Sequence, residues 1–245
     1  MKALCISDLH ARISFLPALE KLLSAEKFDL MLCAGDITNN GEEIEYCQKF
    51  ISIANKLPFF FVPGNNEQGE IYHLFDDFSV EGKLREFKGL PADASPVRND
   101  VATSGGRPAM PAGMPSAKPM AAWQAGEKII GMGGVPDLWG HNIYPPKISD
   151  EEMSDSIFLS HMPAKNIENI KKFDWTSEKT SDLKLSAAPK IQISGHEHHF
   201  WGVGFIGKTK ILKLPAGLNM MAAELDTENL KVKFIDMRKY DKVIT

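Results

Sequence analysis

Over its first 67 residues the chain alternates two kinds of segment, and this alternation restricts it to a narrow set of folds. KALCIS, DLMLCAG and PFFFV are short apolar runs, and between them LPALEKLLSAEKF and EEIEYCQKFISIANKL carry apolar residues at helical spacing. The order reads β-α-β-α-β. Strands in such a unit are parallel and buried on both faces, their crossovers are right-handed, and ligands gather beyond their carboxyl ends. The polar residues at those ends are the first candidates for function: Ser7-Asp8-Leu9-His10, Ala34-Gly35-Asp36 and Pro63-Gly64-Asn65-Asn66-Glu67.

Beyond a short helical stretch and the segment EGKLREF, residues 91–126 hold six prolines among Ala, Gly, Ser and Met and show no periodicity. A stretch of that length inside a domain is either disordered or functional, a mobile surface loop in one case and an active-site lid in the other. Regular patterning resumes with EKIIGMGG, SIFLSHMP and KIQISGHEH, apolar runs that end in glycine or histidine. FWGVGFIGKTKILKLPAG and LKVKFIDM read as antiparallel hairpins, with Gly207-Lys208 as a turn.

Composition closes off other classes. With 245 residues, 43% hydrophobic and 24% charged, the chain is globular and is expected to form one domain over residues 1–245, with 91–126 as an insertion. No apolar run reaches the length of a membrane span, and Asp8 interrupts any signal-peptide core, so a soluble, cytoplasmic protein is expected. A net charge of −4 provides no basic field for holding long nucleic acid. Cys5, Cys33 and Cys47 form no CxxC pair, and Cys5 and Cys33 sit in apolar runs as small core residues.

Asp8 with His10, and His196 with His198, are i, i+2 pairs that a strand end presents on one face. Adding Asp36, Asn65 and His161 gives seven oxygen or imidazole donors at strand ends. Taken singly each has an ordinary structural explanation; five such elements in one order do not.

These elements, D-x-H at Asp8 and His10, G-D at Gly35 and Asp36, G-N-x-E from Gly64 to Glu67, S-H-M-P from Ser160 to Pro163 and G-H-x-H from Gly195 to His198, resemble the calcineurin-like metallophosphoesterases. The resemblance covers residues 1 to about 80 and 128 to about 220. It implies an α/β fold, a four-layer αββα sandwich of two mixed sheets flanked by helices, with a two-metal site on one edge. It places a first metal between Asp8, His10, Asp36 and His198, and a second between Asp36, Asn65, His161 and His196, with Asp36 bridging through its two oxygens. Donors of this kind suit Mn²⁺, Fe, Co²⁺, Ni²⁺ or Zn²⁺, manganese being favoured.

The reaction expected is hydrolysis of a small phosphate ester by a metal-bridging hydroxide, with Asp36, His161 and Asn66 as its catalytic residues. Two dications against two carboxylates leave a formal charge of plus two, which a hydroxide and a monoanionic phosphodiester neutralise, so diesters are favoured over monoesters. The alternative is a weakly active or inactive scaffold of the same fold. Where many members of the family carry a histidine that protonates the leaving group, this chain has Asn66, and an amide is no acid at neutral pH. His73, His141 and His199 are the substitutes available. Trp139 is a candidate for stacking on a substrate ring, Met110, Met114 and Met120 for an apolar lid, and the late hairpins leave a strand edge on which a homo-oligomer could form.

Overall fold

The computed structural model describes residues 1–87, 127–134, 149–163 and 188–241. The 91–126 insertion, Trp139 and His141 lie outside these residues.

Two mixed sheets pack face to face. The first places β1 (Lys2–Ile6), β2 (Leu30–Cys33) and β3 (Phe59–Phe61) side by side in parallel, continued from β1 by antiparallel β10 (Met221–Asp226) and β11 (Val232–Asp236). The second has parallel β5 (Glu127–Met132), β6 (Ile157–Ser160), β7 (Ile191–Ser194) and β9 (Thr209–Lys213), edged by antiparallel β4 (Arg85–Phe87) and β8 (Gly202–Ile206). β8 and β9 form the expected hairpin, closed by two residues of which Gly207 has φ +56.

Strand alternation sorts the apolar residues into two cores. Ala3 and Cys5 of β1, Leu30 and Leu32 of β2 and Phe60 of β3 face Ile129, Ile157, Leu159, Ile193 and Leu212 of the second sheet. Leu4, Ile6, Met31, Cys33, Phe59 and Phe61 face outward, against α1 (Phe15–Ala25) and α2 (Ile44–Ala54). The three consecutive phenylalanines of β3 therefore serve both cores. Phe61 stacks on Phe75 at 4.5 Å beside α3 (Gly69–Leu74), while Phe60 meets Phe87 edge-on at 6.0 Å. On the far side of the second sheet, Met153 of α4 (Asp150–Met153) packs on Ile130 and Phe158. No helix among the described residues is long and apolar enough to cross a membrane.

Candidate metal centre

The carboxyl ends of β1, β2 and β3 meet those of β6 and β7 along one edge of the sandwich, and the expected donors converge there. Asp8, His10, Asp36 and His198 bring one ligand atom each to within 4.8 Å of one another; Asp36, His161 and His196 do the same beside them. Asn65 completes the second group, its Oδ1 3.1 Å from His161 Nε2.

Asp36 belongs to both groups through a single atom. Its Oδ2 lies 3.7 Å from His10 Nε2 and 3.5 Å from His161 Nε2. Oδ1 instead accepts the backbone N–H of Asn66 at 3.0 Å, and the Asn66 side-chain amide donates to Oδ2 at 2.8 Å. Asn66 is thus turned onto Asp36.

At His161 an acceptor faces an acceptor, an arrangement that suits a cation. His161 Nδ1–H donates to the Ala34 carbonyl at 2.7 Å, which leaves Nε2 as an acceptor facing Asn65 Oδ1 and His196 Nδ1, the latter at 3.1 Å. In the other group, His10 Nε2 and His198 Nε2 approach to 2.8 Å. Imidazole nitrogens and carboxylate and amide oxygens without thiolate fit divalent transition metals.

Backbone conformation aims these side chains. Asp8, His10, Asp36 and His196 all have positive φ, at 54°, 46°, 53° and 74°. Residues other than glycine reach that region at a cost, so the surroundings must hold them there. Asp8 N–H donates to Gly35 O at 2.9 Å and Asp8 O accepts from Leu218 N–H at 2.8 Å; His10 N–H donates to Asp36 O at 3.1 Å. The Glu67 carboxylate, buried at 3% exposure, accepts backbone N–H groups from Gly64 (2.7 Å), Asp36 (2.8 Å), Ile37 (2.7 Å) and Thr38 (3.2 Å). It ties the loop after β2 to the loop after β3. Burial, then the charge of Asp36, push its pKa up to about 7.

Asp8 is held in a similar way. Its Oδ2 accepts from the Ser7 hydroxyl at 2.6 Å, and His196 N–H donates to both carboxylate oxygens at 3.0 Å. Burial would raise its pKa, but hydrogen bonding with His198, the charges of His161 and Lys213 and the Ser7 hydroxyl outweigh this and keep it well below the usual carboxylate range. Burial, with His161 and Lys213 nearby, lowers His196 to about 3, so its imidazole is neutral as a ligand must be. The bond to Asp8 raises His198.

Ser7 was among the polar residues expected at the end of β1. Lys213, fully buried at the end of β9, was not singled out from the sequence. Burial lowers Lys213 to about 8 against the attraction of Asp8, Glu197 and Asp36. Of the substitute histidines, His73 is 73% exposed and pairs with Asp76 at 3.4 Å, and His199 is exposed.

Known proteins share this architecture. Superposition on the crystal structure of TT1561 from Thermus thermophilus gives a TM-score of 0.62 at 12% identity, covering 97% of this chain and 99% of that one. The 5′-nucleotidase precursor from the same organism superposes with a TM-score of 0.51 at 14% identity, covering 96% of this chain and 53% of that one. In sequence, the uncharacterized protein MJ1162 of Methanocaldococcus jannaschii is 26% identical over 92 residues, 37% of this chain and 40% of that protein's length. The family model for calcineurin-like phosphoesterases matches residues 1–200, a span that includes every donor described above, and the chain belongs to that family.

Proposed function

We propose that the chain is a dinuclear-metal phosphoesterase that favours phosphodiesters. The observation that carries this reading is that Asp36 Oδ2 faces two groups of donors at once. Asp8, His10, Asp36 and His198 would hold one divalent ion and Asp36, Asn65, His161 and His196 the other, with manganese favoured. Such a pair, when bound, supplies the charge that lowers the pKa of a water and offsets that of the phosphate.

The chain's own residues supply position. The Ser7 hydroxyl donates to Asp8 Oδ2, the His196 N–H bridges both carboxylate oxygens, and Oδ1 lies 3.5 Å from His198 Nε2. Ala34 O selects the His161 tautomer whose Nε2 faces the centre. Glu67 holds the Asp36 backbone, and Asn66 holds its carboxylate.

The test is hydrolysis of bis-p-nitrophenyl phosphate and p-nitrophenyl phosphate by protein stripped with a chelator and reloaded with Mn²⁺. Diester turnover is expected to require the metal, to exceed monoester turnover and to fall by ~100-fold or more in Asp36→Asn. Absence of turnover with every transition metal, despite bound ions, would favour the scaffold role.

A further inference from the structure

The residue next to Asn65 determines how a leaving group can depart. Asn66 spends its backbone N–H and its side-chain amide on Asp36, at 3.0 and 2.8 Å. A carboxamide donates hydrogen bonds but gives up no proton at neutral pH, so this arm of the β3 loop can hold a carboxylate and cannot neutralise an alkoxide. Several other proton carriers among the described residues are committed elsewhere. The Ser7 hydroxyl donates to Asp8 at 2.6 Å, that of Ser160 to the Met162 carbonyl at 2.8 Å and that of Tyr72 to Glu81 at 2.7 Å. The Glu67 carboxylate is filled by four backbone N–H groups. His73 pairs with Asp76 on the exposed side of α3.

A site built this way suits a leaving group stable as an anion. Resting on the phosphoesterase reading above, we propose that the bond broken is the phosphoanhydride of a pyrophosphate diester, R–O–P–O–P–O–R′, rather than the ester bond of an alkyl phosphodiester. A water oxygen forms a new bond to one phosphorus, the bridging P–O bond breaks with its electron pair on the departing phosphate monoester, and the protons of the water pass to solvent. That monoester, with a second pKa of about 6, needs no proton at pH 7. An alkoxide does need one, and supplying it is worth roughly 10²–10⁴-fold in rate. The phosphorus under attack carries one negative charge, and the second charge of the substrate sits on the phosphate that departs.

The test compares kcat/KM of the Mn²⁺-loaded full chain on three compounds. These are diadenosine 5′,5′-diphosphate, the dinucleotide deoxyadenylyl-deoxyadenosine with a single phosphate between its nucleosides, and bis-p-nitrophenyl phosphate. The diphosphate is expected to exceed the single-phosphate dinucleotide by ~100-fold or more, and Asn66→His is expected to shrink that ratio by ~10-fold or more. Comparable rates for the two adenosine compounds in the unaltered protein would overturn the proposal, an arm that stands even if the variant fails to fold. Turnover of the nitrophenyl diester with the diphosphate untouched would overturn the phosphoanhydride assignment alone. No turnover of any of the three would overturn the phosphoesterase reading beneath it.

Discussion

Glu67 shows how much of the site rests on a residue placed to touch neither metal nor substrate. Its two oxygens receive four backbone N–H groups from two loops, one of them the N–H of Asp36, whose φ of 53° needs holding. Glu67→Gln has the same shape but turns an NH₂ donor against some of those N–H groups. It is expected to cost about 1–3 kcal/mol of stability, a loss of hydrogen bonds to a buried group. It should also weaken metal binding roughly 10–100-fold, the usual effect of losing support behind a ligand. Calorimetric titration with Mn²⁺ beside urea unfolding separates the two, and unchanged metal affinity in a folded variant would show that the clamp is purely structural. At this scale the donors were legible because each is a polar residue ending an apolar run, where a buried strand has no use for one. Their supports, Ser7 and Glu67, were legible only as polar residues at the same strand ends; that Ser7 holds the Asp8 carboxylate and that Glu67 gathers four backbone N–H groups from two loops depends on contacts that folding brings together.

Among the elements, the glycines of the G-D and G-N motifs have a steric reason. A Cβ on Gly35 would lie 2.4 Å from Gly64 N, and one on Gly64 would lie 2.1 Å from Asp36 Oδ1, so the loops after β2 and β3 can approach only as two bare backbones. Gly64→Ala is expected to displace the Asp36 carboxylate, cutting metal-dependent diester hydrolysis by ~100-fold or more. It should destabilise the fold by about 1–3 kcal/mol through overpacking. Gly207→Ala is the control. A Cβ there meets nothing within 4 Å, so at φ +56 it should cost about 1 kcal/mol of stability and leave hydrolysis unchanged. Equal activity of the two variants in a p-nitrophenyl diester assay would remove the steric account. The early strands and helices were legible because a buried parallel strand is a continuous apolar run and its crossover helix repeats every three to four residues. MAAELD, which forms β10, escaped because its pattern is weak. It is a strand by virtue of antiparallel pairing with β11 on one side and with β1 on the other, the latter linking residues more than 200 apart.

At the scale of the whole molecule, the division into two cores distributes the cysteines and makes a prediction about alkaline stability. Cys5 lies between the sheets, while Cys33 and Cys47 lie between the first sheet and its helices. Burial pushes all three thiols well above their usual range, so the native state keeps these protons at pH 9–10. Unfolded thiols ionise near pH 8.5. Across that window the unfolded chain binds fewer protons than the native one through these groups, so stability falls as pH rises, by about 1.4 kcal/mol per pH unit for each thiol. Lys213 acts in the opposite sense. Burial lowers it to about 8, so from pH 8 to ~10.4 the native state has shed a proton that the unfolded chain still holds, and its contribution offsets about one thiol. These groups together are therefore expected to make the metal-free protein lose about 2–3 kcal/mol per pH unit between pH 9 and 10, with a smaller further loss toward pH 10 as tyrosines of the unfolded chain begin to ionise while burial keeps Tyr46 and Tyr72 protonated in the native state. Replacing Cys5 and Cys33 by alanine removes one thiol from each core. Whatever that does to absolute stability, urea unfolding at pH 9.0, 9.5 and 10.0 should then show the slope reduced by about 2–3 kcal/mol per pH unit, because the remaining thiol and Lys213 cancel. An unchanged slope in the double variant would mean that the buried thiols are not what sets the alkaline limit of the fold.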